Sequence, residues 1–67
     1  MDVIFYKPNS EDVLISFYSS ISNNRIPIIG ETVVIEGGWY VVDDIVTSYK
    51  KLKHQTYSTV SVILKNV

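Results

Sequence analysis

Apolar and polar positions alternate most cleanly near the end of the chain, where Val60, Val62 and Leu64 are interleaved with Thr59, Ser61, Ile63 and Lys65. Successive side chains of a strand point to opposite faces, so residues 57–65 predict a half-buried strand whose outer row has one apolar member, Ile63. A second signal lies mid-chain, where residues 31–36 and 39–43 are β-branched and aromatic runs separated by Gly37-Gly38. This predicts a β-hairpin with a two-residue glycine turn of type I′ or II′. In that register Glu36 faces Trp39, Ile35 faces Tyr40, Val34 faces Val41 and Val33 faces Val42. Val33, Ile35, Tyr40 and Val42 then share a face and are the candidate core. The opposite face carries Thr32, Val34, Glu36, Trp39, Val41 and Asp43.

The apolar phase changes at Asp43-Asp44, which predicts a bulge there before the strand runs on through Ile45 to Tyr49. Residues 50–55 read as a polar loop. Residues 2–7 predict a first strand, stopped by Pro8-Asn9-Ser10, where proline presets φ and asparagine tolerates turn geometry. Residues 11–22 fit two periods. Val13, Ile15, Phe17 and Ile21 alternate as in a strand, whereas Val13, Leu14, Phe17, Tyr18 and Ile21 form one helical stripe with Ser10 as its N-cap. The serines and the β-branched and aromatic residues favour the strand. The fold class that follows is all-β: one domain spanning residues 1–67, a small five-stranded barrel or strongly bent meander. The alternative is α+β with one helix at 11–22.

Composition strengthens the β reading. Nine Ile, ten Val and four Thr make up 23 of 67 residues, and there is no Ala. Stiff β-branched side chains suit a pleated surface, and the best helix former is missing. With no Cys and one His, neither a disulfide nor a thiolate zinc site can support so small a core, which leaves close packing or self-association. No basic and apolar leader opens the chain, and no apolar run is long enough to span a bilayer, so the expectation is a cytoplasmic protein with no membrane association.

The stretch Ile26-Pro27-Ile28-Ile29-Gly30-Glu31-Thr32-Val33-Val34-Ile35, followed by a tight turn and Tyr40-Val41-Val42, resembles small SH3-like β-barrel proteins of bacteriophages and other mobile elements. Their loose pattern is Pro-x-x-Gly-(Asp or Glu)-x-Val, a turn, then Tyr-x-Val. The resemblance implies a barrel that works by binding. Gly30-Glu31-Thr32-Val33 also looks like the opening of a KOW-type module, but the glycine-rich stretch expected after the turn is missing. No functional residue is carried over from either family.

Catalytic chemistry has little to build on. His54, the only imidazole, sits among Lys51, Leu52, Lys53 and Gln55 with no acid nearby in sequence, so no nucleophile and base are paired. The predicted register sets Glu31 opposite Asp44, two carboxylates that could share a cation or a proton, at the open end of the hairpin. Gly37-Gly38 lacks the following helix and the Lys-Ser/Thr of a phosphate loop. The expectation is a non-enzymatic protein with no catalytic, cofactor or metal site.

Charge and exposed apolar groups supply two binding readings. The first is a protein-interaction or assembly module, including inhibition of a host protein, in which Trp39, Val34, Val41 and Ile63 form a patch covered by a protein partner or a second copy. The competing structural role for these residues is a second small core beneath Ile26, Ile28 and Ile29. The second reading is a weak nucleic-acid-binding barrel. Lys50, Lys51 and Lys53 would meet phosphates and Tyr49 and Tyr57 would stack on bases, against a net charge of −1.

Overall fold

The computed structural model describes residues 1–18 and 26–67. Among these residues five strands form: β1 (Asp2–Tyr6), β2 (Val13–Tyr18), β3 (Thr32–Ile35), β4 (Gly38–Leu52) and β5 (Gln55–Asn66). They make one mixed sheet in the order β2-β1-β5-β4-β3, bent into a nearly closed barrel, and no helix occurs among the described residues. Every hydrogen-bonded pair is antiparallel except β1 with β5, which are parallel. The sheet order is the chain order taken cyclically and cut between β2 and β3. Strand direction alternates along the chain, and with an odd number of strands the pair that joins first to last has to be parallel.

The helix alternative for 11–22 is therefore overturned over the strand β2, while residues 19–22 lie outside the described residues. Ser10 works as a turn residue instead of a helix cap. Its Oγ accepts from the Asp12 amide at 3.0 Å, and the Lys7 amide bonds the Asp12 carbonyl at 2.9 Å, folding Pro8 and Asn9 into the β1–β2 connection. β2 then pairs with β1, and Phe17 lies opposite Val3 with its ring centroid 6.1 Å from that of Phe5. A helix would lose both the ladder and this ring contact.

The core is the face that the alternation indicates. Val3 and Phe5 from β1, Ile35 from β3, Val42 from β4, and Val60, Val62 and Leu64 from β5 are all buried, with Leu14, Phe17, Val33, Tyr40 and Ile45 packed around them. β5 lies at the centre, bonded on one side to β1 and on the other to β4, which is why it supplies three of the seven core side chains found among the described residues. No polar or charged side chain of the described residues is buried. The bulge is found where the sequence places it: Val42 pairs with Leu64 and Asp44 with Ile63, leaving Asp43 extra. It keeps Val42 and Ile45, three apart in sequence, on the same face.

The central hairpin corrects the predicted turn. Ile35 pairs with Gly38, Val34 with Trp39, Val33 with Tyr40 and Thr32 with Val41, so the loop residues are Glu36 and Gly37, with φ of 48° and 84°. Gly38 belongs to the strand because the Tyr40 ring occupies the space above it: a Cβ there would come within 2.8 Å of the Tyr40 hydroxyl. The loop moves by one residue, which changes each partner by two. Because the side-chain period is two, the assignment of faces survives.

A second correction concerns residues 50–55. They are not a loop: β4 continues to Leu52, turns at Lys53-His54, and β5 begins at Gln55. β1 reaches only as far as the Asp2–Thr59 pair, so four further β4–β5 pairs, from Tyr49–Ser58 to Leu52–Gln55, extend past the third strand as a two-stranded arm. This arm accounts for the shape. The molecule measures 41 × 25 × 19 Å, and its radius of gyration of 12.5 Å exceeds the roughly 11 Å of a compact chain this long.

Candidate functional site

Val34 and Trp39 are cross-strand partners on the outer face of the β3–β4 hairpin, and both are largely solvent-exposed, at 54% and 64%. Alternation puts them there: Val33 and Ile35 turn inward to the core, so Val34 turns out, and Tyr40 and Val42 do the same to Trp39 and Val41. Val41 is half-buried, flanked by Thr32 and Lys65. β3 is an edge of the sheet among the described residues. Its four residues are Thr-Val-Val-Ile, with no charge or proline to discourage pairing.

Ile63 does not join this group. It pairs with Asp44 and Tyr6 and borders a separate hollow with Tyr6, Val46 and Ser61. The bulge at Asp43 turns β4 between Val41 and Asp44, and Lys65, bridged to Asp43 at 3.7 Å, stands between the two apolar groups. The patch is therefore Trp39, Val34 and the rim of Val41. Of the loop residues expected to cover it in a second core, Ile26 is half-buried against the main core, while Ile28 and Ile29 are exposed.

The paired carboxylates are apart. Glu31 sits beside Val42, accepting the Ile28 amide on its Oε1 at 3.1 Å, and the Val42 amide bonds the Glu31 carbonyl at 2.9 Å. Asp44 turns its Oδ1 to the next amide, Ile45 N, at 2.8 Å. Among the described residues no three of His, Cys, Asp and Glu come together as a cation would need. The seam between β2 and β3 opens as a cleft of about 280 Å³ lined by Phe5, Ile15, Phe17, Pro27 and the β3 residues Val33, Val34 and Ile35, with Glu31 as its one charged member, so Val34 borders this cleft as well as Trp39.

The lysine group lies on the arm, on regular strands. Lys50 pairs with Tyr57 and Lys51 with Thr56, and Lys53 forms the turn with a φ of 57°. Every residue from Val46 to Tyr57 is exposed. Tyr49 and Tyr57, expected to stack together on bases, stand on opposite faces of the ribbon, because Tyr57 opposes Lys50 and Tyr49 opposes Ser58. The Tyr57 hydroxyl donates to Gln55 Oε1 at 2.6 Å, which lays that ring along the strand.

With this geometry in view, comparison with protein-family models, with curated proteins and with solved structures finds no match to the chain.

Proposed function

We propose that the protein is a non-enzymatic interaction and assembly module that binds a protein partner, or a second copy, through the β3 edge and the Trp39–Val34 pair. The observation that carries this reading is an indole 64% exposed beside a valine 54% exposed, the valine on an apolar strand that is a sheet edge among the described residues. The fold has an interior for large apolar groups and leaves these two out of it. A partner strand added along β3 would satisfy its outward amides and carbonyls, and Trp39 would be the aromatic anchor of the contact. The resemblance to SH3-like barrels of phages and mobile elements supports an assembly role, inhibition of a host protein included.

The test is Trp39→Ala. It takes nothing from the core, so the far-UV circular dichroism and melting temperature should stay near those of the parent. Partner capture or self-association should weaken about 30-fold, the loss typical of an aromatic anchor. A folded variant that binds or self-associates as the parent does rejects the reading.

A further inference from the structure

The geometry points to the β4–β5 arm as a probe for the major groove of duplex DNA. Three features of the arm converge. First, it is ordered as a ladder yet has no core: four pairs extend about 14 Å beyond the Ser48–Thr59 pair at the usual rise per residue. Isolated two-stranded hairpins are marginal in water, so such an arm gains most from a surface that encloses it. Second, the charge of the molecule is divided. All seven acidic residues lie at or before Asp44, and four of the six basic residues lie after it, three of them in the arm. None of the arm lysines is in an ion pair among the described residues.

Third, the lysines surround the ribbon. Lys50 shares a face with Tyr57, Lys51 shares the opposite face with Tyr49, and Lys53 and His54 form the tip. A flat acidic protein surface meets one face of a ribbon and leaves the other lysine in water. A groove with phosphates along both walls meets both faces at once. The major groove of B-DNA, about 12 Å wide and 8.5 Å deep, admits a two-stranded ribbon, whereas the A-form RNA groove is too narrow. The opposed tyrosines give no continuous stacking platform, which argues against single strands. Thr56, Ser58 and Gln55 add neutral hydrogen-bonding groups along the arm. This site is distinct from the Trp39 patch.

The test is fluorescence anisotropy with a labelled, mixed-sequence DNA duplex and its separate strands, titrated with the whole protein. Three phosphate contacts predict a log–log salt slope of about −2.7, so binding should weaken about 40-fold between about 50 and 200 mM salt. Lys50→Gln/Lys51→Gln/Lys53→Gln should lower affinity at least about tenfold and bring the slope near zero. Methyl green, which occupies the major groove, should displace the protein, and netropsin, which occupies the minor groove, should not. Trp39→Ala should bind DNA as the parent does. A second variant, with residues 49–58 replaced by Asn-Gly, should lose DNA binding and keep its β signature, which separates loss of the arm from loss of the fold. The inference is overturned by no duplex binding, by single strands binding as tightly as duplex, by displacement with netropsin alone, or by a triple variant that binds as the parent does. It is also overturned if polyglutamate competes as well as duplex DNA, which would assign the arm to acidic proteins.

Discussion

Glu36 sits at a φ of 48° in a position where a side chain with a Cβ is strained and where Asn or Gly is preferred. Gly37, at 84°, carries the other half of the same turn. The two positions make opposite predictions. Glu36→Asn should raise stability by about 0.5–1 kcal/mol, and Gly37→Ala should lower it by about 1–2 kcal/mol, both read from urea denaturation midpoints at unchanged m-value. If Glu36→Asn lowers the midpoint, the loop is not the two residues described. In the interior, Val62 is fully buried between Phe5 and Ile45. Val62→Ala should cost about 2 kcal/mol in lost contact and cavity, a large share of the roughly 3–10 kcal/mol that stabilises a domain this size. A loss under about 0.5 kcal/mol would show that the barrel collapses around the gap. The Lys65–Asp43 bridge is exposed on both sides, so Lys65→Gln should change stability little.

Among the elements, β5 and the arm behave as opposites although they share a strand. The segment from Thr59 to Ile63 is bonded on both sides and carries the core side chains Val60 and Val62, whereas Gln55 to Ser58 has one neighbouring strand among the described residues and no buried residue. Amides of Val60 and Val62 should exchange with solvent only on global unfolding, and those of the arm orders of magnitude faster, as native-state hydrogen exchange will show. Equal protection along all of β5 would mean that something covers the arm. The same contrast explains what the sequence reveals about itself. Alternation across a buried face is strong, so β1, the inner half of β5, the core face of the hairpin and the bulge are legible from residue order. The arm has no buried face and therefore no alternation, and its lysines and glutamine read as a loop. The β3–β4 turn is misplaced by one residue because two glycines compete for it. The contact that decides between them, the Tyr40 ring over Gly38, is tertiary. At the candidate interface, Trp39 and Val34 follow from strand parity alone, while Ile63 is separated from them by a bulge whose direction of turn no pattern encodes.

At the scale of the whole molecule, shape and charge run together. An acidic barrel with a basic arm has a strong dipole despite a net charge of −1. The dimensions of 41 × 25 × 19 Å predict a scattering profile with a tail at long vectors. Replacing residues 49–58 by Asn-Gly should remove that tail while the melting transition stays cooperative, since no core residue is lost. An unchanged profile would place the arm against the barrel in solution. The parallel pairing of β1 with β5 has a further consequence, for synthesis. Val3 meets Val60 and Phe5 meets Val62, so β1 is bonded into the sheet centre by a strand made more than fifty residues after it. While the ribosome is still translating the middle of the message, β1 and β2 have one another but no floor to pack on. The barrel closes only after the codons for β5 have been read, and a transcript cut short before them specifies β1 to β4 with their greasy residues and no sheet centre to cover them.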